Sequence, residues 1–328
     1  MGLKNAILVA GGAGYIGSHT VRFLRNAGKN VIVLDDLSEG RREAVCGVPF
    51  IKANINDAKA LEEVFTQNDV NAVIHFAAFA YVGESVLNPQ KYYQNNVAAA
   101  LTLLSAMIAH NVKKIVFSSS CATYGNPVYI PIDEKHPQNP INPYGATKFM
   151  VERILADYNA AYGLNYMALR YFNAAGAHPD GDIGESHRVE THLIPLILKT
   201  FTGEKQNIQI FGDDYDTKDG TCIRDYIHVC DLAFAHNAAV EALNAGSPSM
   251  CVNMGCGRGF SVKEIIKACE EVTGKKAHVL TAPRRPGDPS VLTASSALSR
   301  ETLGFNPRYT DIREIIETAW EWEKNRRF

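Results

Sequence analysis

The sequence predicts an α/β protein: a doubly wound parallel sheet that carries a smaller, mostly C-terminal domain for a substrate. Three observations predict it. Short apolar runs alternate with longer helical patterns through the first half of the 328 residues. Most of those runs show little polar alternation, as expected of strands covered on both faces. A glycine-rich turn joins the first run to the first helical segment. Strand, helix and strand at this rhythm give right-handed crossovers and parallel neighbours.

The elements follow in order. Residues 6–10 form the first strand; they run straight into Gly11-Gly12-Ala13-Gly14 with no polar cleavage region, so a strand is expected rather than a secretory leader. Strands are then expected at 31–34, 50–51, 72–76, 114–118 and 166–170, and helices at 16–27, 59–68, 94–110 and 146–162. The helix at 94–110 has two apolar sides, Val97, Leu101, Leu104 and Ile108 on one and Ala100, Leu103 and Met107 on the other. A helix apolar on two sides is buried on two sides. One side suits the sheet; the other suits either a second subunit or the rest of the same chain. Beyond Phe172 the texture changes, and 173–221 is rich in Gly, His, Pro and Asp and reads as loop. A helix at 231–243 and a strand at 251–254 follow, and 257–328 holds two amphipathic helices flanking Arg284-Arg285-Pro286-Gly287-Asp288. The expected division is 1–173 plus about 222–254 as a dinucleotide domain, and about 174–221 plus 255–328 as a substrate domain.

Composition narrows the function. Hydrophobic residues at 46% and charged residues at 21% are ordinary for a globular chain, which disfavours disorder. A formal net charge of −2 gives no reason to expect nucleic acid or an anionic membrane as partner. No window reaches the ~18 to 20 apolar residues of a membrane span. The seven cysteines include no C-x-x-C, and Cys251 and Cys256 lack a second pair of ligands nearby. Reduced thiols in a cytoplasmic protein, and no metal, are the expectation.

Gly11, Gly14 and Gly17 follow a strand, and Tyr15 and Ile16 open a helix between the last two. The glycines allow a tight turn, close approach of backbone to a pyrophosphate, and close packing of helix on strand. The helix start adds unpaired N–H groups and a positive dipole end. Asp35, at the tip of the second strand, can accept hydrogen bonds from ribose hydroxyls and repels a 2′-phosphate, so NAD is expected rather than NADP. Asp36 reads as a solvated turn residue.

Tyr144 and Lys148 stand at i and i+4 and share a helix face, behind Asn142 as cap and Pro143 in the first turn. Bringing a tyrosine from ~10 to near 7 needs roughly 4 kcal/mol of preferential stabilisation of the phenolate. A lysine ammonium and a positively charged nicotinamide are the right kind of cause. Ser118-Ser119-Ser120 ends the fifth strand, at the carboxyl-end crevice where such sheets bind ligands.

The Gly11-x-x-Gly14-x-x-Gly17 spacing, the serine run and Tyr144-x-x-x-Lys148 together resemble the extended short-chain dehydrogenase/reductase family, whose cofactor domain is Rossmann-like. The resemblance covers essentially the whole chain and implies the following roles. Ser120 bonds the reacting sugar hydroxyl and shares its proton with Tyr144, and Ser118 lies beside the cofactor. Phe76, Ala77 and Ala78 run along the cofactor; Asn54 and Ile55 flank the adenine, Asn54 where an acidic residue is usual; Asn95 lies near the nicotinamide. Family members that dehydrate or decarboxylate carry an extra acid after the serine. Here Ser120-Cys121-Ala122-Thr123-Tyr124-Gly125 has none, which leaves reversible oxidation and reduction at one carbon. Tyr171-Phe172-Asn173 resembles a family motif that sets Phe172 toward the cofactor and Asn173 toward the substrate.

The remaining matches resemble the nucleotide clamp of the family's UDP-sugar 4-epimerases: His192, Leu193 and Gln209, Phe211 near a uracil, Arg224 and Arg285 on a diphosphate, and Asp288 on the uridine ribose. Arginine suits the diphosphate because its planar fork binds phosphate oxygens in pairs. The implied activity is reversible C4 epimerisation of UDP-hexoses, glucose and galactose first, through a 4-keto intermediate and tightly bound NAD. Leu292 matches the wall of the hexose pocket, where a tyrosine is frequent; leucine leaves room for an N-acetyl group and predicts slower activity on UDP-GlcNAc and UDP-GalNAc. The plainer reading of Leu292 is a core residue on a strand. A 4-epimerase of another UDP-sugar, or an NAD-binding sensor without turnover, are the alternatives. A homodimer is expected, with the apolar stripes of 94–110 and 146–162 pairing across a two-fold axis.

Overall fold

The computed structural model describes residues 2–285 and 288–328; Pro286 and Gly287, in the expected diphosphate loop, lie outside the described residues. The first half runs β1 (Ala6–Ala10), α1 (Tyr15–Asn26), β2 (Val31–Asp35), β3 (Phe50–Lys52), α2 (Ala58–Gln67), β4 (Val70–His75), α3 (Val82–Leu87), α4 (Pro89–Tyr92), α5 (Ala99–Ala109), β5 (Lys114–Ser120), α6 (Pro143–Tyr162) and β6 (Asn165–Tyr171). The second half continues with β7 (Asn173–Ala175), α7 (Leu193–Thr202), β8 (Ile208–Phe211), β9 (Ile223–His228), α8 (Val229–Asn244) and β10 (Met250–Met254). It ends with β11 (Gly259–Ser261), α9 (Val262–Thr273), β12 (Val279–Ala282), β13 (Val291–Leu292), α10 (Ala297–Leu303) and α11 (Ile312–Lys324).

Seven strands in the order β10-β6-β5-β4-β1-β2-β3 form one sheet, and every neighbouring pair in it is parallel. The expected doubly wound fold is what the chain adopts. Strand order reverses at β1, which lies between β2 and β4, so the carboxyl ends of β1 and β4 open the crevice where such sheets bind ligands. Successive residues of each central strand serve opposite cores, as period-two geometry requires. Val9, Val33, Val116 and Leu169 pack toward Leu24 of α1 and Leu232 of α8. Leu8, Ile32, Val73 and Ile115 pack toward Leu103 and Leu104 of α5 and Val151 of α6. A third core joins Ile197 of α7, Ile265 of α9 and Ile316 of α11 to Ile210, Tyr226 and Phe260.

Three expectations are corrected. The stretch 173–221 is not all loop, for it contributes β7, α7 and β8. Pro195 hid α7, but it is the third helical residue, where a backbone N–H has no intrahelical partner to lose. The C-terminal stretch holds α10 besides the two helices expected. The helix expected across 94–110 is not continuous: Tyr93–Ala98 forms π-helical turns ahead of α5. There the buried Asn96 accepts from Phe79 N, donates to Phe79 O, both at 2.9 Å, and donates to Thr147 Oγ1 of α6 at 3.1 Å. Among the described residues no helix is long and apolar enough to cross a membrane.

Candidate active site

The glycine turn after β1 is shaped by what cannot be added to it. A Cβ on Gly11, whose φ is +77°, would stand 2.4 Å from Ala77 N, and one on Gly17 would stand 2.3 Å from Gly11 O. Gly14 is the N-cap of α1 and supplies no side-chain bond, so the first N–H groups of that helix stay available to an anion. Asp35 is buried, and burial pushes its carboxyl up from the ordinary value. It accepts from Ala13 N at 2.9 Å and Leu37 N at 2.8 Å, which fixes it against the glycine turn with lone pairs left for ribose hydroxyls. Backbone approach, free N–H groups and a fixed carboxylate are the features a dinucleotide needs, and these residues fit one.

The other residues expected around the cofactor divide into two sets. Asn54 and Asn95 line a surface recess of about 660 Å³ together with Phe79 and Lys91. Asn54 also donates to Asp36 at 2.7 Å, so Asp36 is tied rather than merely solvated. Ile16, Ile55, Phe76 and Ala77 belong to or border the two cores of the sheet, and Ala78 is half-buried just beyond β4. Tyr15 Oη donates to Gly176 O at 2.5 Å and links the turn to the chain beyond β7. Phe172 is packed with Tyr124, Ile132 and Ala294.

The start of α6 holds the tyrosine and lysine expected to do the chemistry. Asn142 accepts from Gly145 N at 2.8 Å and Pro143 takes the first helical position, as expected. A Cβ on Gly145 would lie 2.4 Å from Ala122 O, so this glycine is what allows α6 to dock on the turn that follows Ser120. Lys148 Nζ donates to Ser118 O at 2.7 Å and lies 5.9 Å from the Tyr144 ring centre. Burial pushes the Tyr144 phenol up to about 12, and the counter-pull comes from the Ser120 hydroxyl. Burial likewise lowers Lys148 to about 7, against the opposing charge of Glu152 one helical turn further on. Ser118 Oγ is hydrogen-bonded to Tyr171 Oη.

Beneath this set lies a polar network that sequence reasoning missed. Arg170 Nε and Nη2 grip Glu152 at 2.9 and 2.7 Å, and Ser119 Oγ donates to the same carboxylate at 2.5 Å. Arg170 Nη1 also donates to Tyr124 Oη at 2.8 Å, which in turn donates to Asn253 Oδ1 at 2.7 Å. The side chains of Arg170 and Glu152 are only 5% and 4% exposed, so neither charge has water to replace its partner. The network bolts β5, β6, β10 and α6 together under Lys148. Arginine in the otherwise apolar stretch Met167-Ala168-Leu169-Arg170 was the available signal.

The expected nucleotide clamp is assembled from β8, β9 and β13. Arg224 of β9 is paired with Asp288, and the Arg285 guanidinium lies 3.9 Å over the Phe211 ring. Arg284 turns away, 4.2 Å over Tyr215 and 2.6 Å from Asp214. Leu292 is in register with Arg224 and packs on the cluster of Tyr124 and Phe172, so it is both a strand residue and a neighbour of the site. Asn173 donates to Asp225 O at 3.0 Å. Gln209 is exposed on β8, Leu193 begins α7, and His192 precedes it with Nδ1 turned to Glu185 and Glu190. Asp225, which the sequence did not single out, is buried and pushed up to about 6 by that burial, and it accepts backbone N–H bonds from Cys256, Gly257 and Ala294.

A dinucleotide turn at the switch point, with a serine at the end of β5 and a tyrosine and lysine on the first turns of α6 beside it, defines a Rossmann-type protein of short-chain dehydrogenase/reductase design. The chain belongs to the NAD dependent epimerase/dehydratase family, whose model matches residues 7–255. It is 53% identical to the UDP-glucose 4-epimerase of Halalkalibacterium halodurans, over 97% of this chain and 96% of that protein. Among solved structures it is similar to the UDP-glucose 4-epimerase of Brucella ovis in complex with NAD (TM-score 0.94, 51% identity, 96% and 97% of the two chains). It is also similar to the UDP-Glc/GlcNAc 4-epimerase of Campylobacter jejuni (TM-score 0.86, 41% identity, 98% and 99%).

Proposed function

We propose that this chain interconverts UDP-glucose and UDP-galactose by epimerising the sugar at C4, with tightly bound NAD. The observation that carries the reading is the convergence of Ser120, Tyr144 and Lys148 at the carboxyl edge of the sheet with no acid between Ser120 and Gly125. When bound, NAD takes the C4 hydride and gives it back. Tyr144, with Ser120, accepts the 4-OH proton and later returns it, and the Lys148 ammonium favours the phenolate when the proton is gone. Arg224 and Arg285 hold the diphosphate while the 4-keto sugar turns about its bond to it. Binding strength placed on UDP rather than on the hexose lets the sugar turn without escaping.

Gly11, Gly14, Gly17 and Asp35 are the residues assigned to the cofactor's phosphates and ribose; Phe211 and Asp288 are assigned to the uridine. The division into a dinucleotide part (1–173 with about 222–254) and a substrate part is supported by the separate core of α7, α9 and α11. A cytoplasmic homodimer is supported by reduced thiols and by the exposed apolar residues Leu101 of α5 and Phe149 and Met150 of α6.

The test is incubation of purified protein with UDP-galactose and no added nucleotide. UDP-glucose is expected to form, and Tyr144→Phe is expected to slow it by ~10² to 10⁴ while NAD stays bound. An NAD-binding sensor gives no product, and near wild-type turnover in Tyr144→Phe would remove the tyrosine from the mechanism.

A further inference from the structure

We propose that Glu185, His187, Glu190 and His192, in the segment between β7 and α7, form a closed site for one divalent metal ion, with zinc the best fit. The backbone of Glu185 and the carboxylate of Glu190 are each placed by contacts that do not use the imidazole rings. Trp322 Nε1 donates to Glu185 O at 2.9 Å, and Gly184 lies so close to that indole that a Cβ would stand 2.3 Å from it. Glu190 Oε1 accepts from Thr191 N and His192 N, both at 2.7 Å.

Both imidazoles then point Nδ1 into the gap. His187 Nδ1 lies 3.1 Å from Glu185 and 3.4 Å from Glu190; His192 Nδ1 lies 2.7 and 3.0 Å from the same two carboxylates. One donor atom from each of the four residues lies within 4.8 Å of all the others. A tetrahedron with metal–ligand bonds of ~2.0 to 2.1 Å has edges of about 3.3 Å, and the nitrogen–oxygen separations of 2.7 to 3.4 Å lie around that length.

Hydrogen bonding accounts for Glu190 but leaves Glu185 Oε1 over. Each ring has one Nδ1–H to give, and both are directed at Glu190. Glu185 is 6% exposed, and its buried Oε1 has no donor in hydrogen-bonding geometry although two ring nitrogens lie within 3.1 Å. A buried carboxylate oxygen without a donor is costly, and a cation removes the cost. Two carboxylates and two neutral imidazoles balance a divalent charge, and nitrogen with oxygen donors in four-coordination suits zinc. Four protein ligands leave no open position, so the ion is structural. It revises the sequence expectation of no metal, which rested on the cysteines.

The ion's place explains its use. Arg188 of the same segment donates to Ser38 O at 2.7 Å and Leu37 O at 3.1 Å, just beyond β2. The Tyr15 and Tyr81 rings stand edge-on to His187 at 6.2 and 6.1 Å. Metal binding therefore fixes the segment across the dinucleotide side and orients His192 with Nε2 still available to a ligand.

The rival is a metal-free ring of ion pairs with both histidines protonated. The experiment is elemental analysis of untagged, gel-filtered protein, followed by chelator treatment and reloading with zinc sulfate. About one zinc per chain is expected, with a lower Tm after chelation that reloading restores. Glu185→Gln and His187→Asn are each expected to lose the ion. Less than about a tenth of an equivalent after reloading would overturn the site. Should either variant fail to fold, X-ray absorption at the zinc edge of the wild-type protein decides: nitrogen and oxygen neighbours only, at ~2.0 to 2.1 Å, support it, and a sulfur shell overturns it.

Discussion

The two halves of the site are built from different materials. On the cofactor side the working parts are backbone: a glycine turn against Ala77, the open start of α1, and Asp35 held by two main-chain N–H groups. On the side proposed for the sugar nucleotide they are side chains in pairs: Arg224 on Asp288 and Arg285 on Phe211. A backbone site admits no substitution and tolerates no shift. A side-chain site can lose one member and keep its frame. The lesson is that the two ligands should respond to mutation in different ways.

The sharpest contrast is expected from Gly11→Ala. The new methyl would meet Ala77 N at 2.4 Å in a left-handed conformation, so bound NAD and all turnover should be lost. Both tryptophans, Trp320 and Trp322, lie in α11 on the other side, and their fluorescence should stay native. Retention of NAD by this variant would break the contrast outright.

Acid should separate the halves next. His19 of α1 and His236 of α8 are each lowered to about 4 by burial. A histidine with a depressed folded-state value stabilises fully above its ordinary value of about 6.5 and loses that contribution as pH falls toward about 4, at roughly 3 kcal/mol each. Burial lowers His75 of β4 and, on the sugar-nucleotide side, His228 of β9, each to about 3, so three such groups lie on the cofactor side and one on the other. Release of NAD should therefore precede the tryptophan change as pH is lowered, and coincident transitions would show that the halves unfold as one.

Arg224→Met comes third. Removing a charge-assisted contact to a diphosphate costs ~1.5 to 3 kcal/mol, or about ten- to a hundredfold in KM for UDP-galactose, with NAD content and kcat little changed. A fall in NAD content would mean that the clamp also supports the cofactor side. The smallest effect on UDP-galactose turnover is expected from Leu292→Tyr, which should spare that substrate and abolish the slower activity on UDP-GalNAc. Equal loss of both would assign Leu292 to packing with Tyr124 and Phe172.

The same contrast governs what can be read from the chain. Gly11, Gly14, Gly17, Asp35, Asn142, Tyr144 and Lys148 are local patterns, so the sheet, the turn and the catalytic helix are legible. Glu152 and Arg170 are 18 residues apart, Asn96 and Phe79 are 17 apart, and Tyr124 and Asn253 are 129 apart, so only folding brings these partners together. Glu185, His187, Glu190 and His192 sit within one short stretch, but its Gly, His, Pro and Asp content reads as loop, and the spacing of four donors only acquires meaning once their atoms converge. Gly145 was visible beside Tyr144, but nothing in its neighbours announces the Ala122 carbonyl it must clear.

A single residue, Phe172, separates β6 of the large sheet from β7 of the small one, and β9 of the small sheet passes directly into α8 against the large one. The four residues 255–258 between β10 and β11 join the two sheets a third time, so every one of these crossings is short. Short links of this kind keep the two faces of the crevice in register with each other. That register suits a reaction in which the guest, rather than the frame, does the turning about its own phosphate linkage.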